Sequence, residues 1–268
     1  MPHWKLILAY DGTSFHGWQV QPNLATIQGT LAAVLLHLTG ETVLPQASGR
    51  TDTGVHALAQ VVSFSLSAPI PPANLLRALN RALPSSIRVL TAEQVPEDFH
   101  ARYNAVRKTY EYRVFPRVPP QRDQPDHICP PFLAPYAWDC PWHIDLDLAR
   151  QASPHVLGEH DFTSFAAVDP EFHHGERPLP RSAVRTIFCS NWHEEEGLLV
   201  YRVTGSGFLH HMVRNLVGTF VDAAAGRTSP DGILGILAAR NRSAAGQTAP
   251  ARGLFLVSVE YVNVEYAP

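Results

Sequence analysis

The stretch SGRTDTGVHALAQVVSF, residues 48–64, places Arg50 and Asp52 in a short connection that leads directly into an apolar run. Gly49 and Gly54 flank the two charged residues, and glycine takes left-handed or extended turns that other residues resist. The apolar run is typical of a strand, so the stretch predicts a tight loop that carries a carboxylate to the edge of a sheet. A bare Thr-Asp-Thr-Gly would more simply form a turn or a helix cap.

The first half of the chain predicts six elements in the order βαββαβ. The predicted strands cover residues 4–10, 43–48, 59–66 and 87–95, and the predicted helices cover residues 25–38 and the stretch from Pro71 or Pro72 to about Leu83. The first helix is amphipathic, with Ile27 and Leu31 among its apolar positions. Proline is tolerated in the first turn of a helix, which supports the start of the second one.

The second half predicts a similar order of elements. The predicted strands cover residues 108–115, 184–192, 198–205 and 254–261, and the predicted helices cover residues 145–157, 208–224 and 230–239. Three glutamates at 194–196, followed by Gly197, predict the solvated tip of a hairpin. The proline-rich stretch 116–141 is interpreted as a connecting loop. Together the elements imply two ferredoxin-like, RRM-like halves, residues 1–104 and 105–268.

The composition indicates a chain that can bury a large core. Of its 268 residues, 45% are hydrophobic, which allows either two small domains or one large sheet. No apolar stretch approaches the ~20 residues that span a bilayer, and the first residues predict a strand rather than a signal peptide. Cys129, Cys140 and Cys189 lack CxxC spacing, so they predict reduced thiols rather than disulfides or a zinc site. We therefore expect a cytoplasmic protein.

The charge of the chain bears on nucleic-acid binding in two opposite ways. The formal net charge of −3 is unfavourable, because phosphate contacts normally require a basic surface. However, all of the 21 basic residues except Lys5 and Lys108 are arginines, which suit bidentate phosphate contacts and stacking on bases. A basic cleft on an acidic protein therefore remains compatible with the sequence.

The segment GRTDTGVHA, residues 49–57, closely resembles the signature of the TruA family of tRNA pseudouridine synthases, whose usual form has Ala in place of Thr53. Further motifs of that family follow in the expected order. They are YDGTSFHGWQVQ (10–21), FHARYNAVRKTYEY (99–112), GEHDFTSF (158–165), GFLHHMVRNLVGT (207–219) and ARGLFLVSVEY (251–261). The resemblance spans nearly the whole chain.

This resemblance implies an α+β fold in which the two halves join into one largely antiparallel sheet, with helices packed on it and a basic central cleft. It also implies an isomerase that converts uridine to pseudouridine at positions 38, 39 and 40 in the anticodon stem-loop of several tRNAs, acting as a homodimer. The reaction replaces an N-glycosidic bond by a bond to C5, so it needs no redox equivalents. The sequence has neither a Walker loop nor a GxGxxG after a strand, and no metal or nucleotide cofactor is expected.

The resemblance assigns the catalytic role to Asp52. The reaction needs an ionised, nucleophilic carboxylate placed against a uridine that has left its stack. Attack on the ribose carbon and attack on C6 of the ring both remain open. A carboxylate in a cleft that excludes water needs a nearby cation to stay charged, because desolvation raises its pKa. Arg214 is the candidate for that cation.

Arg214 lies in the helix predicted at 208–224, where His210 would share its face one turn earlier. The alternative is an ion pair between Arg214 and a surface acid such as Asp222. The neighbouring His210 and His211 do not predict a metal site, because adjacent residues point to different helix faces and no third ligand has suitable spacing.

Three further residues receive roles from the resemblance. Tyr110, the first tyrosine of KTYEY, would stack on the target uracil and assist proton removal from C5, with an ordinary core tyrosine as the alternative. Arg50 would partly offset the cost of flipping a base out of the stem-loop by inserting its planar guanidinium. Leu254 would contact the flipped ring, with a core leucine as the alternative.

The chain departs from the family pattern in two places. Val20 stands where the entry loop usually has Arg, so one phosphate contact is expected to be missing. An insertion at 169–182 predicts either an RNA-facing loop or a solvated loop without a partner. Its candidate phosphate partners are His173, His174, Arg177 and Arg181.

Two other functions fit parts of the sequence. A non-catalytic RNA-binding module built from RRM-like halves would show the same order of elements, although the RRM signature aromatics are missing. A metal-dependent hydrolase is suggested by the 14 histidines, yet HExxH and the deaminase combination of HxE with PCxxC are both missing.

Overall fold

The computed structural model describes residues 1–117, 127–167 and 182–262. The chain divides into two compact units. The first contains residues 1–108 together with the C-terminal strand from Phe255, and the second contains residues 109–254. Among the described residues, no helix combines the length and the apolar character that a membrane span requires.

The first unit contains the six elements predicted for the N-terminal half, in the predicted order, and the last strand of the chain. They are β1 (His3–Tyr10), α1 (Ile27–Thr39), β2 (Gln46–Ala47), β3 (His56–Ser65), α2 (Pro72–Ala82), β4 (Ile87–Val95) and, at the C-terminal end, β10 (Leu254–Tyr261). Thr26 caps α1 by accepting a hydrogen bond from Gly29 N. Pro72 begins α2. The N–H groups of the first helical turn have no partner within the helix, so proline costs no hydrogen bond at this position.

The sheet of the first unit has β1 at its centre, paired antiparallel with β4 on one side and with β3 on the other. The strand β10 runs parallel to β3, with Phe255 opposite His56. Side chains of β1 alternate between the two faces, so Trp4, Leu6 and Leu8 are buried while the residues between them are half-buried. The core also includes Ile27, Leu31, Leu35, Val62, Phe64, Leu75, Leu79 and Ile87.

The second unit contains most of the remaining elements. They are β5 (Ala105–Pro116), β6 (Trp138–Cys140), α3 (Leu146–Ala152), β7 (Gly158–Asp161), β8 (Val184–Glu195), β9 (Leu198–Gly205), α4 (Met212–Ala224) and α5 (Gly232–Ala239). The first residues of β5, up to Lys108, belong to the first unit. Strands β7, β8 and β9 are antiparallel neighbours, β6 runs parallel to β5, and β9 lies between β8 and β5. The core includes Tyr112, Val114, Phe162, Phe165, Tyr201, Val203, Leu216, Val217, Phe220 and Ile233.

A cluster of three charged residues connects β5 and β9 in the second unit. The buried Glu111 on β5 accepts hydrogen bonds from Arg113 Nε at 2.9 Å and from Arg202 Nη2 on β9 at 2.8 Å. Burial raises the pKa of this carboxyl, but the hydrogen bonds from Arg202 and Arg113 outweigh that effect and hold the pKa below its usual value. Glu111 therefore stays charged although it is buried.

The predicted fold class is confirmed: the protein is α+β, and most strand pairs within each unit are antiparallel. The predicted hairpin tip is also confirmed, because Glu195 pairs with Leu198 and the exposed Glu196 and Gly197 form a turn with positive φ at both positions. The three cysteines are free. The 169–182 loop, including His173, His174, Arg177 and Arg181, lies outside the described residues except for Ser182.

Three predictions about elements in the second unit were incomplete or wrong. The helix predicted at 208–224 begins only at Met212. His211 has a left-handed φ of 59°, which a helix does not accommodate, and Met212 N donates to Leu209 O in the turn that precedes the helix. His210 therefore precedes the helix and does not share its face with Arg214. The helix predicted at 145–157 ends at Ala152 and continues as a 3-10 turn. Strands β6 and β7 were not predicted.

Candidate active site

The predicted nucleophile Asp52 lies in the loop between β2 and β3 of the first unit. Its side chain is half-buried, whereas the neighbouring Arg50 is exposed. Gly54 has a φ of +76°, a conformation that L side chains rarely adopt, and Val55 N donates to Asp52 O at 3.1 Å. The loop that the sequence predicted is therefore present, and its turn depends on glycine at position 54.

The entry loop between β1 and α1 packs on the backbone of the Asp52 loop. Trp18 N donates to Thr51 O at 3.0 Å, and Gly54 N donates to Phe15 O at 3.4 Å. Trp18 is buried, with 1% of its side chain exposed. The entry loop thus holds Thr51, the residue immediately before Asp52. The motif at residues 10–21 and the motif at residues 49–57 therefore pack against each other.

The buried Gln60 on β3 binds three other groups of the same region. Its Nε2 donates to Gly49 O at 2.8 Å and to the Tyr10 hydroxyl at 3.3 Å, while its Oε1 accepts from Ser48 Oγ at 2.7 Å. The Tyr10 hydroxyl in turn shares a hydrogen bond of 2.8 Å with Thr51 Oγ1. Direct and relayed contacts from one amide thus fix the residues on the N-terminal side of Asp52.

Tyr10 is buried beneath this loop, with 4% of its surface exposed. Burial raises its pKa to about 12, although the hydrogen bonds from Thr51 and Gln60 act in the opposite direction. The tyrosine is therefore neutral at physiological pH, and its hydroxyl remains a hydrogen-bonding group rather than an anion. The sequence predicted neither Tyr10 nor Gln60 as part of the site.

Tyr110 lies on β5 in the second unit. Its side chain is 7% exposed, and its ring meets the edge of the Phe208 ring with a centroid separation of 5.1 Å. Tyr112, two residues along the strand, is fully buried and donates its hydroxyl proton to Pro250 O at 2.7 Å. Burial raises the pKa of Tyr112, while the positive charges of Arg214 and Arg252 lower it by less.

Arg214 lies in the first turn of α4 and is half-buried. Its Nε donates to Ala249 O at 2.8 Å, and its own carbonyl accepts from Ala249 N at 3.1 Å. The alternative partner named from the sequence, Asp222, accepts a hydrogen bond from Arg227 Nε instead. Arg214 is thus held by the backbone of the segment before β10.

Leu254 begins β10 and is buried, with 6% of its side chain exposed. The segment before Leu254 contacts Arg214 and the strand that carries Tyr110. The carbonyl of Ala249 accepts a hydrogen bond from Arg214, and the carbonyl of Pro250 accepts one from Tyr112. Gly253 packs so closely that a Cβ there would lie 2.8 Å from the Tyr112 ring. The second unit therefore places Arg214, the tyrosine strand and Leu254 around one segment, whereas Arg50 and Asp52 belong to the first unit.

Val20, at the position where the resemblance leads us to expect Arg, is 45% exposed in the entry loop. Its backbone N–H donates to Gln28 Oε1 at 3.0 Å, and Gln28 Nε2 donates to Pro45 O at 2.9 Å. The backbone of this position is therefore fixed independently of its side chain. The loop therefore keeps these contacts without a guanidinium at position 20.

Comparison with known proteins identifies the family of this chain. A sequence model of the tRNA pseudouridine synthase family matches residues 6–104 and 152–262. The tRNA pseudouridine synthase A of Solibacter usitatus is 51% identical over 257 residues, which cover 96% of this chain and 98% of that protein. The enzyme of the same name from Moorella thermoacetica is 44% identical, covering 97% and 100%, and that from Bacillus subtilis is 40% identical, covering 97% and 99%. The chain belongs to the tRNA pseudouridine synthase family.

Proposed function

We propose that this protein isomerises uridine to pseudouridine in tRNA with Asp52 as the nucleophile. The observation that carries the proposal is the half-buried Asp52 in a loop whose flanking backbone is bound by Trp18, Gln60 and Val55. A loop backbone held in this way loses little conformational freedom when the carboxylate that it carries reacts, which is how a protein lowers the cost of reaching a transition state. Membership in a family of isomerases supports the same conclusion.

In the proposed reaction the carboxylate of Asp52 adds to the nucleoside, either at the ribose C1′ or at C6 of the ring. The bond between N1 and C1′ breaks, and the uracil turns so that its C5 bonds to C1′. The proton on C5 is then lost, N1 gains a proton, and the carboxylate is regenerated. The atoms and electrons balance without an oxidant or a reductant, and the tRNA is the only substrate.

The other residues receive their proposed roles from the family resemblance together with their surroundings. Tyr110 would stack on the target uracil, since its ring is fixed edge-on by Phe208. Arg214 would supply positive charge to the nucleophile, and its guanidinium is already oriented by Ala249 O. The exposed Arg50 would fill the space of the flipped base, and Leu254 would contact the ring. These roles require that the residues of both halves, 1–104 and 105–268, meet at one site.

The substrate positions and the assembly are part of the proposal. We propose that the uridines at positions 38, 39 and 40 of the anticodon stem-loop are modified, by a homodimer in the cytoplasm, where tRNA is found. A basic cleft would reconcile RNA binding with the net charge of −3. It would give tRNA affinity a steep salt dependence, because each phosphate contact releases counterions.

Tritium release from tRNA labelled at uridine C5 tests the proposal. Wild-type protein and Asp52→Ala are compared in buffer with and without EDTA, and tRNA binding is measured in parallel. We expect the wild type to release tritium and the variant to release none while it still binds tRNA. A wild type that binds tRNA but releases no tritium would support the non-catalytic RNA-binding module, and release that stops with EDTA would favour a metal-dependent enzyme. Equal release by both proteins would exclude Asp52 as the nucleophile.

A further inference from the structure

Lys108, on β5 two residues before Tyr110, reaches back to the loop that carries Asp52. Its Nζ donates to Ser48 O at 2.5 Å, and both residues belong to the first unit. A hydrogen bond from an ammonium group is shorter and stronger than one between neutral groups. We propose that Lys108 is a positioning residue that holds the Asp52 loop in its reactive conformation. This inference rests on the proposed function of Asp52.

Gly49 provides an independent observation in favour of this role. Unlike Gly54, it is not among the glycines with positive φ, so its backbone conformation does not require glycine. A Cβ at position 49 would instead lie 3.3 Å from Lys108 Nζ, closer than nine in ten real Cβ contacts. The absence of a side chain at position 49 therefore leaves room for the lysine ammonium beside the loop.

The bond from Lys108 completes a set of contacts on one residue. Ser48 N donates to Val61 O at 2.8 Å, and Ser48 Oγ donates to Gln60 Oε1 at 2.7 Å. Lys108 takes the remaining backbone group, the carbonyl, and it is the member of this set that carries a charge. Ser48 is fully buried, so removal of the ammonium leaves its carbonyl poorly solvated. The loop can then shift, and small misplacements of a catalytic group cost large factors in rate.

A phosphate contact is the other role that a basic residue of an RNA-modifying enzyme could have. The two roles predict opposite kinetics. A positioning residue affects the rate of the bound complex and leaves tRNA affinity nearly unchanged, whereas a phosphate contact weakens affinity and lowers the salt dependence of binding by about one counterion. Lys108 is half-buried and its ammonium already binds a carbonyl, which favours the positioning role.

The test compares Lys108→Ala with Lys5→Ala, which alters the only other lysine of the chain. Lys5 forms an ion pair with Glu93 at 2.7 Å on β4, so the control removes the same charge from the same unit. The single-turnover rate of tritium release and the Kd for tRNA are measured below the melting temperature of each variant. We expect Lys108→Ala to lower the rate at least about tenfold with Kd within about twofold, and Lys5→Ala to change neither.

Gly49→Ala tests whether the glycine acts through the lysine. We expect it to lower the rate about threefold in the wild-type background, because the ammonium must move a few tenths of an ångström, and to have no further effect in Lys108→Ala. If Lys108→Ala does not fold, Lys108→Met and Lys108→Arg replace it. Lys108→Met removes the charge and should lower the rate, whereas Lys108→Arg keeps the charge and should recover a part of that loss.

Two results would overturn the inference. A weaker Kd with an unchanged single-turnover rate would identify Lys108 as a phosphate contact, and unchanged values for both would leave it without a role in the reaction. Additive effects of Gly49→Ala and Lys108→Ala would separate the glycine from the lysine. A wild-type protein that releases no tritium would instead contradict the proposed function itself, which this series distinguishes from a failure of the positioning role.

Discussion

Replacement of Gln60 by leucine should destabilise the protein through the loop that carries Asp52. Gln60 is fully buried and binds Ser48 Oγ, Gly49 O and the Tyr10 hydroxyl. Leucine is similar in size but forms no hydrogen bond, so the serine hydroxyl and the glycine carbonyl lose a partner. Each buried polar group without a partner costs about 1–3 kcal/mol, whereas Tyr10 keeps its bond to Thr51. We therefore expect a loss of about 1–5 kcal/mol in the free energy of unfolding, after about 1 kcal/mol is regained from the apolar side chain.

Urea denaturation at pH 7 measures this loss, with Gln46→Leu as the matched control. Gln46 lies on β2, is exposed, and donates to Leu44 O at 3.2 Å, so the control should stay within about 0.5 kcal/mol of the wild type. We also expect the folded variant to turn over tRNA more slowly, because the residues before Asp52 lose their support. A loss below about 1 kcal/mol for Gln60→Leu, or a loss equal to that of the control, would refute the proposed support of the loop by this amide.

Three further predictions concern pH, packing and RNA affinity. Burial raises the pKa of Tyr10 to about 12, so the folded state keeps a proton that the unfolded state loses above pH 10. The free energy of unfolding should therefore fall between pH 10 and 12. Urea titrations across that range should show a shallower fall for Tyr10→Phe than for the wild type. Gly218→Ala would place a Cβ 1.7 Å from Gln247 O, so it should lower the free energy of unfolding by at least about 3 kcal/mol in the same assay, and a change below about 1 kcal/mol would contradict the close helix contact. Val20→Arg should tighten tRNA binding and steepen its salt dependence by about one counterion, measured by titration at several salt concentrations; an unchanged slope would show that this position does not reach a phosphate.

Much of the first unit could be predicted because its signals are local. The strand β1 alternates buried and half-buried residues along its whole length, and α2 is bounded by prolines that fix its start and end. The hairpin of the second unit was equally predictable from the acidic tip before Gly197. In each case the pattern that specifies the element lies within the element itself.

The supports of the Asp52 loop could not be predicted in the same way. Tyr10, Gln60 and Lys108 contact the loop from positions 11 to 60 residues away along the chain, so no spacing rule connects them. Gln60 did leave a signal, because a lone amide in the apolar run ALAQVVSF must find buried partners. Gly49 and Gly54 look alike in sequence, but they have different roles in the structure. Gly54 is required by its positive φ, whereas Gly49 lies beside the ammonium of Lys108.

The start of α4 was misjudged for a different reason. The sequence around Phe208 is compatible with a helix, but His211 takes a left-handed conformation that only the tertiary structure selects. As a result Arg214 stands in the first turn of the helix rather than in its middle. Its partner Ala249 is distant in sequence, and so its orientation was also beyond local rules.

The most direct test of the central claim is to map pseudouridine in tRNA after incubation with the purified protein and with Asp52→Ala. The substrates are an unmodified tRNA with uridine at positions 38, 39 and 40 and the same tRNA with cytidine at all three. We expect pseudouridine at these positions in the first tRNA with the wild type, none with the variant, and none in the second tRNA. Pseudouridine formed elsewhere would contradict the proposed positions, and pseudouridine formed equally by Asp52→Ala would contradict the catalytic role of the carboxylate.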